Sequence, residues 1–131
     1  MKSINIRAVR TTEIEFKNEL EGEGRIDIGT SYSYNVRYGQ NNVCRGEFTA
    51  TVNDKNDPDK FHIKLTCVGI MSLPEGMTKE DAHRASYEAL FPYVRAQVTG
   101  ITAGAGIPPI YIPFIDISGQ EIYRIEIPHK N

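Results

Sequence analysis

The sequence predicts an α+β fold, with an antiparallel sheet laid down first and helical structure after it. Three observations predict it. Long stretches alternate apolar and polar residues with period two, the mark of strands with one buried face. A capped helical stretch follows Thr78, and a strongly apolar segment broken by prolines comes after it.

The clearest alternation places Ile26, Ile28, Tyr32, Tyr34, Val36 and Tyr38 on one face. Arg25, Asp27, Ser31, Ser33, Asn35 and Arg37 take the other. Gly39-Gln40-Asn41-Asn42 then supplies a hairpin turn, because Gly and Asn tolerate the backbone angles it needs. Cys44, Phe48, Ala50 and Val52 form the inner face of the next strand, opposite Arg45, Glu47, Thr49 and Thr51. After the polar connection Asn53 to Asp59, Phe61, Ile63, Leu65, Cys67 and Met71 alternate with His62, Lys64 and Thr66. An earlier strand is expected in Ile4, Ile6 and Ala8, resuming at Ile14 and Phe16 after an irregular Thr11-Thr12. Strands in succession with short turns favour antiparallel pairing.

Thr78 is placed to cap a helix, with Asp81 at the capping-box position. Its apolar side carries Ala82, Ala85, Ala89 and Leu90. Pro92 lacks an N–H and clashes with the preceding turn, so an interruption is expected there. A second helix then runs from Pro92 to about Thr102, showing Val94, Val98 and Ile101 to the sheet, and Gly104-Ala105-Gly106 ends it. Ile107 to Ile115 is apolar, yet its prolines forbid a regular ladder. It is expected to lie extended on apolar surface, with backbone groups open to a client strand. Glu121 to Ile127 is strand-like, with Tyr123, Ile125 and Ile127 on one side.

The chain has 131 residues, which fits a single domain spanning 1–131. Its formal net charge of −2 gives no electrostatic argument for nucleic acid or an anionic membrane. The absence of an apolar membrane span or signal-peptide core makes a cytoplasmic location the expectation. Cys44 and Cys67 have no Cys-x-x-Cys spacing and read as small buried hydrophobes. His62, His83 and His129 stand isolated, so no metal site is expected. The glycines from Gly100 to Gly106 lack the lysine of a phosphate loop and read as a helix exit. No cofactor and no catalytic group are expected, so the chain reads as a non-enzyme. Glu13, Glu15, Glu19, Glu21, Glu23 and Asp27 gather near the front. They read either as a solvated strand edge or as an acidic docking surface.

The fold motif Leu90-Phe91-Pro92-Tyr93-x-Arg95 resembles the Leu-Phe-Pro-Tyr-Ala-Arg that opens a helix in the SecB family of export chaperones. Gly69-Ile70-Met71 is similar to that family's Gly-Ile-Phe, and Glu13-Ile14-Glu15-Phe16 to its Asp-Ile-Ser-Phe. Gly106-Ile107-Pro108-Pro109-Ile110 resembles Gly-Phe-Pro-Gln-Leu. The similarity runs from about Ile4 to Asp116. It implies a four-stranded antiparallel sheet with helices on one face, assembled as a dimer of dimers. It further implies ATP-independent capture of unfolded polypeptides in apolar grooves. Phe16, Ile26, Ile28, Tyr32, Tyr34, Ile110, Tyr111, Ile112 and Phe114 are the candidate peptide-binding residues.

The family's acidic outer face contacts the motor SecA. Lys17 and Lys64 stand where the family has Glu, which weakens such a face. The long final helix of the family has no counterpart here. Export-type chaperone activity is therefore weighed beside two alternatives: a chaperone dedicated to the antitoxin of a toxin–antitoxin system, and a binding protein for one folded partner or small ligand.

Overall fold

The computed structural model describes residues 3–21 and 26–115. Its elements follow in chain order as β1 (Asn5–Asn18), β2 (Ile28–Tyr38), β3 (Val43–Asp54), β4 (Phe61–Ser72) and α1 (Lys79–Gly104). The strands form one antiparallel sheet in the order β1-β4-β3-β2, leaving β1 and β2 at its edges. The helix lies on one face. This is the four-stranded α+β architecture expected from the sequence.

Alternation is cleanest in β3, where every second residue from Cys44 to Asp54 is buried. Phe48, Ala50, Val52, Phe61, Ile63, Leu65 and Met71 are wholly buried under the helix. Asn41 and Asn42 adopt φ of 61° and 57° at the β2–β3 turn, the left-handed region that asparagine tolerates. Gly39 N–H closes that turn by donating to Val43 O at 2.8 Å.

The first strand differs from its expected form. It is continuous, with register shifts between Ile6 and Ala8 and between Thr11 and Glu13. Each shift inserts one extra residue, a β-bulge, which flips the parity of everything after it. Val9 therefore faces the helix beside Gly69, and Ala8 turns to the outer face opposite Ile70. The second shift undoes the first, so one strand carries three period-two runs on the helix side: Ile6, then Val9 and Thr11, then Ile14 and Phe16.

Pro92 does not divide the helix, contrary to the expectation of two helices. One helix of 26 residues runs through it. Proline removes one backbone bond, the one to Glu88 O, and both Glu88 and Pro92 are exposed, so water can solvate the freed carbonyl. Tyr87, Leu90 and Phe91 before the proline and Val94 and Val98 after it bury on the same sheet. Burying such side chains contributes about 1.5–3 kcal/mol each, which outweighs the roughly 3 kcal/mol proline penalty. Pro92→Ala is accordingly expected to raise stability by about 1–3 kcal/mol in urea unfolding. A loss of stability would show that the proline's ring, rather than its missing bond, matters.

Both helix ends follow their expected chemistry. Thr78 Oγ1 accepts from Asp81 N–H at 3.1 Å. At the other end Gly106 has φ of 83°, Gly106 N–H donates to Ala103 O, and Ile107 N–H donates to Thr102 O. That pair of bonds is a Schellman motif, and it turns the chain back along the helix.

Candidate peptide-binding surface

The segment from Ile107 to Ile115 lies extended against α1 on the β2 side, held by side chains instead of a strand ladder. Thr102 Oγ1 accepts from Ile110 N–H at 2.9 Å, and Thr99 Oγ1 donates to Ile110 O at 2.8 Å. Arg95 donates from Nε to Ile112 O at 2.9 Å and from Nη1 to Tyr111 Oη at 2.8 Å. Its guanidinium carbon stands 3.9 Å from the Tyr111 ring centre and 4.6 Å from that of Phe91. Tyr32 Oη donates to Pro113 O at 2.6 Å, and Tyr87 Oη to Ile115 O at 2.7 Å. Docking on apolar surface is as expected. Open backbone is not, because the carbonyls of Ile110, Ile112, Pro113 and Ile115 already accept side-chain donors.

The candidate residues separate into three environments. Tyr34 and Ile112 are buried, at 6% and 0% exposure, and belong to the core as folded. Tyr34 Oη donates to Ser86 Oγ at 2.5 Å, and burial pushes its phenol far above the ordinary value. Ile26, Ile28, Tyr32 and Ile110 are half-buried at the core margin. Burial also raises the Tyr32 phenol, opposed by a hydrogen bond with Thr30 and by the charge of Arg95. Phe16, Tyr111 and Phe114 are exposed.

These exposed residues do not make one patch. Tyr111 and Phe114 flank α1 on the β2 side, where Phe114 packs edge-on against Phe91 with ring centres 5.2 Å apart. Phe16 stands on β1, three strand spacings away, roughly 14 Å in the sheet plane. There it faces the helix side of the sheet beside Ile14, its ring edge-on to Phe61. Ile14, 53% exposed, was missed as a site candidate, although it lies two residues from Phe16 on the same face. Tyr93, 45% exposed, was read as a structural member of the helix motif. Of that motif, Arg95 bonds the extended segment at Ile112 and Tyr111.

The outer face of the sheet carries mixed charge. Register places Glu15 opposite Lys64 and Lys17 opposite His62. Lys17 also lies 3.6 Å from Glu19, and Arg45 the same distance from Glu47. Glu23 falls outside the described residues, as does the expected strand at Glu121 to Ile127. Cations therefore interrupt the acidic cluster near the front. Both cysteines are buried: burial raises the Cys44 thiol, and Cys67 Sγ accepts from Gln97 Nε2 at 3.3 Å. Among the described residues no group of three or more His, Cys, Asp or Glu is placed to hold a metal, and no helix is long and apolar enough to cross a membrane.

A four-stranded antiparallel sheet carrying one helix and an extended strap is the SecB-like fold. The Rv1957 SecB-like chaperone of Mycobacterium tuberculosis, solved in complex with a ChAD peptide from the Rv1956 HigA1 antitoxin, matches it with a TM-score of 0.70. That match covers 86% of this chain and 90% of the other, at 14% identity. A protein of unknown function from Streptococcus agalactiae gives a TM-score of 0.46 over 87% of this chain and 99% of its own, at 8% identity. In sequence, the chain is 31% identical over 127 residues to the uncharacterized protein MJ0357 of Methanocaldococcus jannaschii, covering 90% of this chain and 82% of that one. The chain belongs to the family of that protein. No protein-family model matches the sequence.

Proposed function

We propose that this chain is an ATP-independent holding chaperone that captures non-native polypeptide on the apolar surface flanking α1. The observation that carries the proposal is the set of large apolar side chains left uncovered there: Ile14, Phe16, Tyr93, Tyr111 and Phe114. An unfolded client exposes side chains of the same kind, and burying them contributes about 25 cal/mol per Å². Flanks separated by the helix suit an extended client touching several sites, whose weak contacts multiply through effective concentration. A cytoplasmic homo-oligomer, a dimer of dimers, would extend that surface across subunits, and no catalytic step is involved.

Within this reading a dedicated antitoxin client is favoured over general export. Lys17 and Lys64 break up the acidic face on which the SecA motor would dock, so affinity for SecA is expected to be weak. The fold's likeness to a chaperone solved with an antitoxin peptide supports the same choice.

The purified protein is expected to suppress aggregation of an unfolded model client without ATP. Tyr111→Asp with Phe114→Asp should weaken capture at least tenfold, since about 1.4 kcal/mol of lost apolar contact suffices. Aggregation time courses unchanged by equimolar protein across several clients would overturn the reading. Calorimetry showing micromolar or tighter SecA binding would restore the export function. A saturable one-to-one complex with one folded protein, indifferent to unfolded clients, would instead make the chain a binding protein for that partner.

A further inference from the structure

The outer face of the sheet, away from α1, is charged unevenly. Register sets Ala8, Ile70, Arg45 and Arg37 side by side in one row across the four strands. The next row reads Arg10, Val68, Glu47 and Asn35. The end of this face nearest the β2–β3 turn therefore sets Arg10, Arg37 and Arg45 against Glu47 alone, on a chain whose formal net charge is −2. Among the described residues no carboxylate pairs with Arg10 or Arg37.

The arrangement costs stability as it stands. Arg37 and Arg45 are directly opposite, and like charges in that relation on neighbouring strands repel. Arg45 has Glu47 beside it at 3.6 Å, too long for a hydrogen bond, and both side chains are exposed to solvent. Arg37 is exposed, so packing does not require it. Beside these two arginines the face dips into a depression of about 170 Å³, lined also by Val43 and Ile70. Guanidinium forks next to an apolar floor suit a carboxylate that has apolar neighbours. The surroundings limit how long such an anion can be. Glu13 and Glu15 stand on the same face two and three rows further along, roughly 14 and 20 Å away. A nucleic acid or other long polyanion lying along the strands would run onto these carboxylates, and a short acidic stretch of polypeptide would not.

We propose that this end of the outer face docks a short segment of a partner protein in which acidic and apolar residues alternate. Arg37 and Arg45 grip its carboxylates, an apolar side chain enters the depression over Val43 and Ile70, and Arg10 adds attraction from the next row. A bound carboxylate turns the repulsion between the two arginines into charge-assisted hydrogen bonds. This face lies opposite the surface flanking α1, so the assignment is independent of the holding activity proposed above.

Fluorescence anisotropy on the full-length protein tests this, with a labelled Glu-Val-Glu-Val-Glu peptide and its Gln-Val-Gln-Val-Gln counterpart. The acidic peptide is expected to bind at least about tenfold more tightly than the amide one. Arg37→Gln and Arg45→Gln should each weaken it about tenfold, and Arg37→Lys should keep only part of the affinity because an ammonium lacks the fork. Lys17→Gln and Lys64→Gln, at the far end of the face, should leave binding unchanged. Urea unfolding at low salt supplies a readout that a structural role would move the other way. Arg37→Gln should keep or raise the midpoint, since it removes a repulsion. Equal affinity for the two peptides, an equal loss in the lysine variants, or a lowered midpoint in Arg37→Gln would overturn the proposal. So would full displacement of the peptide by inorganic phosphate or single-stranded DNA at the peptide's own concentration.

Discussion

Gly46→Ala is expected to destabilise the protein by about 3–5 kcal/mol, more than any other single methyl group added to the sheet. A Cβ at Gly46 would fall on Tyr34 Oη and lie 2.9 Å from Tyr34 Cζ. Neither neighbour can yield easily. Gly46 sits in the interior strand β3, and Tyr34 is enclosed by Phe48, His83 and Tyr87 with ring centres 5.2–5.9 Å away. Moving the phenol breaks its 2.5 Å bond to Ser86 and leaves a buried hydroxyl unpaired. Gly69 is the control: a Cβ there meets Leu90 Cδ2 at 2.6 Å, the far end of a flexible side chain, so Gly69→Ala should cost less.

A urea double-mutant cycle measures this directly. Tyr34→Phe removes the hydroxyl and should recover part of the Gly46→Ala loss, giving a coupling of about 1–2 kcal/mol. Additivity within about 0.5 kcal/mol would mean that the two residues do not collide. The same tyrosine shapes alkaline stability. Burial raises its folded pKa above the ordinary 10.0, while the unfolded chain titrates near that value. Its contribution is therefore complete below pH 10 and declines as pH rises beyond it. Tyr34→Phe should flatten that decline.

Arg95→Ala is expected to release the strap and cost about 2–4 kcal/mol. It removes two hydrogen bonds, to Ile112 O and Tyr111 Oη, and a guanidinium packed between two aromatic rings. Ile112 then loses its anchor, and its fully buried side chain faces water. Limited proteolysis should cut near Tyr111 in the variant well before the wild-type chain is touched. Arg95→Lys should fall between, because an ammonium keeps the charge but cannot make both bonds from one plane. A protease-resistant Arg95→Ala protein would show that Tyr32, Thr99 and Tyr87 hold the strap without it.

What the sequence determined by itself was the set of local patterns. The inner faces of β2, β3 and β4 follow from period-two alternation, because a strand side chain has only two directions to point. The Asn41-Asn42 turn, the Thr78 cap and the Gly106 exit follow from backbone angles that few residues accept. The motif from Leu90 to Arg95 led to the fold, although it lies within α1, where Leu90 and Phe91 bury on the sheet and Arg95 holds the strap. Tertiary structure decided where local rules compete with packing. Pro92 remains inside one helix because both flanking turns bury on the same sheet. Ala8 and Val9 exchange faces because the shift between Ile6 and Ala8 resets the parity of β1, whereas the second shift falls at Thr11-Thr12, where the alternation itself breaks.

The candidate surface was only partly legible for a related reason. Apolar pattern reports which side chains leave water, not what covers them. Tyr34 and Ile112 turned inward under α1, and Ile14 and Phe16 were left open on an edge that the helix does not reach. The strap's backbone is satisfied by Tyr32, Tyr87, Arg95 and Thr99, residues brought together from β2 and α1. No spacing in the sequence announces such a meeting, because it exists only once the sheet and the helix have packed.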